Sequence, residues 1–276
     1  MPCLDYLYIN SFSNINLKSE LKQAKKQKPD YKQLFKQYKI LFNNPQYILS
    51  FGSDLVGRIT SRWGDEKAYW EESAKALISF VFLGKNSVGI YYGDELGTLR
   101  AKIKKDYKFN NENFNELKRY YELKNISNQE FYEAQSLQNK WMSYTQMSWD
   151  SNLVFNKNKL FALNYKENNV ETEKAQPQSP LNFIYELINF YFNSEFKEIL
   201  NEAQLSIKSS KKGVLKLVYT TYEHKQIIIY LNLSNKYHKI VIEEGSSILI
   251  SNYYNRFYSE IPSWLNPYEL LFISKN

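Results

Sequence analysis

The chain is 276 residues long, enough for one large domain or two unequal ones. Apolar residues make up 43% and charged residues 24%, a globular balance that excludes global disorder, and no apolar run is long enough for a membrane-spanning helix. The net charge of +7 rests on Lys, with Arg only at Arg58, Arg62, Arg100, Arg119 and Arg256. The basic runs Lys22–Lys28 and Lys208–Lys212 therefore read as solvated faces, because nucleic-acid readers favour the bidentate fork of Arg.

The first strand expected is Leu4–Ile9, short and rich in aromatics. Asp30 then caps a helix carrying Tyr31, Leu34, Phe35, Tyr38 and Leu41 at three- and four-residue spacing, stopped by Asn43-Asn44-Pro45. Tyr47–Phe51 reads as a buried strand and Gly52 to Asp65 as a loop. A second helix places Trp70, Ala74, Leu77, Ile78, Val81 and Phe82 on one face and ends at Gly84. Val88–Tyr92 is the next strand expected, closed by Gly93-Asp94-Glu95-Leu96-Gly97. A polar excursion runs from Thr98 to about Asn158 and holds Trp141 and Trp149. A third helix spans roughly Pro180 to Leu200, with Leu181, Ile184, Tyr185, Leu187, Ile188 and Tyr191 expected to face inward.

After Gly213 the texture changes to short apolar runs between turn residues. Leu215–Tyr219, Gln226–Leu233, His238–Ile242, Ser247–Ile250 and Glu269–Ile273 read as strands of a small antiparallel sandwich. Strand and helix alternate three times before that tail, which argues for parallel βα units. Three such units make neither a closed barrel nor an ordinary doubly wound sheet. The single cysteine, Cys3, excludes an internal disulfide, and His224 and His238, in the β tail, are too isolated for a metal site. No cofactor is implied. The N-terminus has no basic stretch before an apolar run, so a cytoplasmic protein is expected.

Several strings, taken in order, carry a resemblance. Ser61-Arg62-Trp63-Gly64-Asp65, Glu72-Ser73-Ala74-Lys75, Ile90-Tyr91-Tyr92-Gly93-Asp94-Glu95-Leu96-Gly97 and Met147-Ser148-Trp149-Asp150 stand in register, followed by Ser179-Pro180-Leu181-Asn182-Phe183, Leu249-Ile250-Ser251-Asn252-Tyr253 and Leu265-Asn266-Pro267-Tyr268-Glu269. Together they resemble the C-terminal half of α-glucosidases of the α-amylase clan, glycoside hydrolase family thirteen. The resemblance lies with the branch of oligo-1,6-glucosidases and trehalose-6-phosphate hydrolases.

What the resemblance implies is an α/β chain, an incomplete (β/α)8 barrel holding strands six to eight, followed by an all-β antiparallel sandwich domain. The implied domains are residues 1–205 and 206–276. The implied activity is retaining hydrolysis of small α-glucosides, with nucleophile and general acid on barrel strands four and five and so absent from this chain. The lone chain is then expected to be inactive, and an N-terminal half-barrel chain is the implied partner. The alternative is a degenerate, non-catalytic protein that binds carbohydrate or a partner subunit.

By the same resemblance Asp54 falls near a family carboxylate that stabilises the distorted sugar, with no His beside it. A turn or capping role is equally open to Asp54. Tyr144 stands where the family has an Arg of the first sugar subsite. Arg58 and Arg62 either line a sugar pocket or pair with Asp65 and Glu66. Asp94 and Glu95, as neighbours on an extended chain, would point to opposite faces, so one reaches the cleft and the other caps a turn. Trp63, Trp141 and Trp149 are candidates either for sugar stacking or for the core.

Overall fold

A computed structural model describes residues 5–15, 28–101, 112–152, 160–194, 197–210, 212–258 and 262–275, so Cys3 and Leu4 lie outside the described residues. The first half is built from parallel strands. β1 (Leu7–Ile9), β2 (Tyr47–Leu49) and β3 (Ser87–Val88) form a three-stranded sheet in sequence order, Leu7 opposite Tyr47 and Leu49 opposite Val88. β3 is shorter than the expected Val88–Tyr92, because Gly89 makes only one further bond to Leu49 before the chain leaves the sheet. α1 (Tyr31–Leu41) starts where Asp30 accepts a hydrogen bond from Gln33 N at 3.0 Å. That bond satisfies one of the orphan donors of the first turn, and Leu34, Phe35 and Tyr38 then share one buried face.

The next helices interlock through the strings noted above. α2 (Ile59–Trp63) and α3 (Trp70–Ser79) meet at Gly64, where a Cβ would lie 2.5 Å from Ser73 Oγ. Asp65 N donates to Ser73 Oγ, and Asp65 Oδ1 accepts from Lys67 N and Tyr69 N, which turns the chain into α3. The expected polar excursion instead holds two helices. α4 (Glu112–Leu123) and α5 (Asn128–Gln138) fold on a small core of Phe114, Leu117, Tyr121, Phe131 and Met142. α5 opens on a capping box between Ser127 and Glu130. α6 (Val170–Ala175) precedes α7 (Pro180–Asn193), and a separate α8 (Lys197–Glu202) replaces the single helix expected to Leu200. Tyr185, expected inward on α7, is 58% exposed.

The second half is a five-stranded antiparallel sheet ordered β4-β5-β6-β10-β8, from β4 (Gln204–Ser209), β5 (Val214–Thr220), β6 (Gln226–Asn232), β8 (Ser247–Ser251) and β10 (Leu270–Lys275). β4 was not foreseen, and the strand expected at His238–Ile242 shrinks to β7 (His238–Lys239), paired only with β9 (Trp264–Leu265). Alternation on β5 buries Leu215, Leu217 and Tyr219 on one face. β6 and β10 are apolar on both faces because each face is covered: Ile240 and Leu265 close one side, and the helical half closes the other.

One core spans both halves. Phe12, Phe35, Tyr38, Phe51, Trp63 and Phe80 cluster with Leu217, Ile229 and Phe272. Tyr38 and Phe80 sit with ring centroids 4.5 Å apart, and Phe51 and Trp63 at 5.3 Å. Two tyrosines stitch the seam, buried Tyr219 donating to Leu83 O and half-buried Tyr31 to Leu233 O. Among the described residues no helix is long and apolar enough to cross a membrane.

Candidate functional site

In a parallel sheet the loops that follow each strand emerge at one end. Here the loop after β2 carries Gly52, Asp54 and Arg58, and the segment after β3 carries Tyr91, Tyr92 and Asp94. The two meet. The Arg58 guanidinium lies over the adjoining rings of Tyr91 and Tyr92, 5.1 and 4.8 Å from their centroids. It donates to Tyr92 O, and its Nη2 donates to Thr145 Oγ1 at 2.8 Å. Asp94 Oδ1 is 3.6 Å from Arg58 Nη1, an ion pair too long for a hydrogen bond. Both side chains are almost wholly buried.

The turn that delivers Asp94 depends on glycine. Gly93 has φ +87° and Gly97 φ +57°, the left-handed region that a Cβ disfavours. Between them Asp94–Leu96 form a tight 3-10 turn, not the extended strand expected, so Asp94 is buried and Glu95 only partly so. Trp70 Nε1 and Asn164 Nδ2 donate to Gly97 O, and Asn168 donates to Leu96 O, which clamps the turn onto α3 and the later loops. Gly52 completes the wall, since a Cβ there would collide with the Asp94 carboxylate.

This enclosure shifts the acids. Burial raises Asp94 from 3.8 to about 7, with Arg58 pulling it down and Glu95 pushing it up. Neither Asp94 oxygen has a hydrogen-bond partner among the described residues. Burial also raises Glu95, against backbone N–H bonds that lower it. Behind it, burial pushes Glu173 up to about 8, although Glu173 Oε2 accepts from Leu181 N at the start of α7. Burial moves the Tyr91 phenol up to about 12. The arrangement can hold or release a proton near neutral pH at a carboxyl beside a fixed cation.

The residues singled out from sequence fall in three places. Arg58, Asp94 and Glu95 come together. Asp54 sits on an exposed turn two residues beyond Gly52, where Leu55 N donates to Ser53 Oγ. Tyr144 is 45% exposed and adjoins Thr145, so it borders the cluster. Arg62 is elsewhere: its Nη2 donates to Ile15 O at 3.0 Å, and burial lowers it to about 10. The expected pairing of Arg58 and Arg62 with Asp65 and Glu66 is corrected. Arg58 faces Asp94, while Glu66 is taken by Arg100 at 2.8 Å. Trp63 is core, 2% exposed, and Trp141 and Trp149 are on the surface. Gly52, Tyr91, Tyr92, Thr145 and Glu173 were not foreseen. The paired tyrosines between a short strand and a glycine turn were the one local signal for them.

Comparison with known proteins places this site in a wider frame. A family model described as the catalytic domain of alpha-amylase matches residues 4–200. A probable oligo-1,6-glucosidase 3 of Bacillus subtilis (strain 168) is 30% identical over 161 residues, 53% of this chain and 28% of the relative. An oligo-1,6-glucosidase of Parageobacillus thermoglucosidasius is 26% identical over 208 residues, 71% of this chain and 36% of the relative. A crystal structure of Bacillus licheniformis trehalose-6-phosphate hydrolase shares the fold of 98% of this chain, with TM-score 0.78 and 17% identity over 51% of that enzyme. Isomaltulose synthase from Klebsiella sp. LX3 gives TM-score 0.77 and 16% identity, over 98% of this chain and 50% of that one. The chain thus spans about a third of the curated relatives and half of those solved structures.

Proposed function

The chain belongs to the α-amylase family, and from that membership we propose that it forms the later part of an α-glucosidase-type glycoside hydrolase acting on small α-glucosides. In this reading β1, β2 and β3 stand as strands six, seven and eight of a (β/α)8 barrel. β4–β10 belong to the appended β domain, a sandwich divided from the barrel near residue 205. Retaining hydrolysis needs a nucleophile and a general acid about 5 Å apart. Both would come from an N-terminal half-barrel outside this chain, in one polypeptide or as a partner.

The single observation that supports it best is the meeting of Arg58, Asp94 and the Tyr92–Thr145 contact at the C-terminal end of a parallel sheet, inside the stretch matched to the catalytic domain. Barrel enzymes build their sites from those loops. An unpartnered apolar rim agrees with it. Tyr6, Leu7 and Tyr8 at β1 and Ile90 after β3 are between 38% and 59% exposed, a surface five further βα units would cover.

Within a completed barrel each residue has a stated role. Arg58 holds the Asp94 turn and the Thr145 segment in fixed relation. Asp94 keeps a proton available near neutral pH behind the cleft wall. Asp54, on its exposed turn, is the residue of this chain placed to meet a sugar from the β2 loop. A second reading, carbohydrate or subunit binding without turnover, is favoured by Tyr144 at the position where the family has Arg.

The test joins this chain to the N-terminal half of the Parageobacillus thermoglucosidasius enzyme and measures glucose release from isomaltose and maltose. The expected result is release by the joined protein, with the anomeric configuration retained by NMR, and none by the lone chain. Turnover by the lone chain that disappears on Asp54→Ala would refute the reading. A joined protein that folds and binds isomaltose but releases no glucose selects the second one.

A further inference from the structure

The helix layer of the first half ends on α7, and the outer flank of α7 is apolar. α1 lies between β1 and β2 in the chain and α3 between β2 and β3, so the helices follow the order of the strands. α7 comes after β3 and packs on α3. Phe183 marks the flank turned to α3, because Lys75 Nζ of α3 lies 6.0 Å from its ring centroid. A helix turns about 100° per residue, which sets Tyr185 and Phe192 on the opposite flank. They are 58% and 61% exposed.

These two rings belong to a longer pattern. Leu181, Tyr185, Ile188 and Phe192 are spaced four, three and four residues apart. With that spacing one helix presents a seam to another lying about 20° off parallel. The core face of α7 is a different set, Ile184, Leu187 and Tyr191. An isolated exposed ring is ordinary on a protein surface, but a seam in heptad register is not scattered exposure. The other end of the layer shows the contrast. There α1 exposes Lys32, Gln33, Lys36, Lys39 and a single apolar residue, Ile40.

We propose that the Leu181–Phe192 seam of α7 docks one amphipathic helix of the N-terminal half-barrel, running parallel to α7. The proposal rests on the α-glucosidase reading above and adds where the helix layer grips the absent half. Two observations select that occupant. Among the described residues β3 pairs only with β2, so its free edge lies on the same side as the bare flank of α7. A parallel strand laid on that edge, followed by its right-handed crossover, sets its helix beside α7. Length agrees: 98% of this chain shares the fold of two solved structures, yet covers only 51% and 50% of them. The chain those structures have in addition is enough to cover both the edge and the seam.

Thiol labelling reads the cover directly. Tyr185→Cys and Phe192→Cys are made singly in a Cys3→Ser background. Each is placed in the full chain alone and in the chain joined to the N-terminal half of the Parageobacillus thermoglucosidasius enzyme. Peptide mass spectrometry follows maleimide addition at the introduced thiol. The control is Tyr222→Cys, at a position 89% exposed in the turn between β5 and β6. In the lone chain the two α7 thiols should react within about threefold of the control. In the joined protein they should react about tenfold more slowly or less, with the control within about twofold of its lone-chain rate. The substituted side chains are exposed, and circular dichroism checks that each variant is folded.

Equal rates in the lone and joined proteins overturn the docking seam. If that joined protein also releases glucose, the α-glucosidase reading stands without it. Slowed thiols in a joined protein that releases no glucose keep the seam and count against the reading alone. Lone-chain thiols that are slow, and quicken on dilution, overturn the occupant, because a second copy then covers the flank. Slow labelling at every dilution overturns the seam as well, since the chain would then cover it by itself.

Discussion

Among the described residues two arginine–carboxylate pairs hold a fully buried acid, and they are made differently. Arg256 and Glu269, in the C-terminal sheet, form a fork: Nε to Oε1 at 2.5 Å and Nη2 to Oε2 at 2.8 Å. Asn266 N also donates to Glu269, and Arg256 reaches Trp264 O. Arg58 and Asp94 stand 3.6 Å apart, and neither Asp94 oxygen accepts a hydrogen bond among the described residues. Both carboxylates are desolvated, so geometry separates them. The saturated pair fixes where β8, β9 and β10 meet. The unsaturated pair keeps a carboxyl that trades its charge for a proton near neutrality, which a purely structural tie does not need.

Removing one partner of each pair sharpens that contrast. Glu269→Ala removes the carboxylate that Arg256 grips with both arms of its fork at a packed junction and is expected to cost about 3–5 kcal/mol in urea unfolding at neutral pH. Arg58→Ala should cost less, about 1–3 kcal/mol. Asp94 can then bind a proton in place of its cation, so the fold is not left with a buried bare charge. The lost contacts are those to Tyr91, Tyr92 and Thr145. An Arg58→Ala loss equal to that of Glu269→Ala would break the comparison, because it would make both pairs structural.

How much of this was legible depends on how local each signal is. α1 and α3 were readable because capping by Asp30 and the three-to-four spacing of apolar residues lie within one helix. α4 and α5 were obscured because Phe114, Leu117, Tyr121 and Phe131 are set among Asn, Glu and Lys, and the polar composition masked the period. The Ser127–Glu130 box was the available clue. β4 escaped because, as an edge strand, it buries little: only Leu205 and Ile207 are partly covered. The site was half visible. Arg58, Asp94 and Glu95 could be named, but an extended reading of Gly93–Gly97 gave Asp94 the wrong backbone. Only two positive-φ glycines placed it inside. The Arg58–Asp94 and Arg58–Thr145 contacts join distant segments, and nothing within either segment announces them.

The prediction most specific to the unsaturated pair is a pH dependence. Asp94 titrates near 7 in the folded protein against an ordinary 3.8. Between those values the folded state holds a proton that the unfolded chain has released, so the contribution is fully present below about pH 4 and is lost as pH rises toward 7. Asp94→Asn removes that loss. The difference in unfolding free energy between wild type and this variant should therefore slope by roughly 1 kcal/mol per pH unit between pH 4 and 7, and flatten on either side. Glu95 and Glu173 are raised as well and slope the same way, but they are present in both proteins and cancel. Arg58 is the cation that holds Asp94 down, and Glu95 the acid that pushes it up. In an Arg58→Ala background the sloping window should thus extend above pH 7. A flat difference from pH 4 to 7, or a window unmoved by Arg58→Ala, would mean that the carboxyl is not governed by its enclosure beside Arg58. The two pairs would then differ in bond length alone.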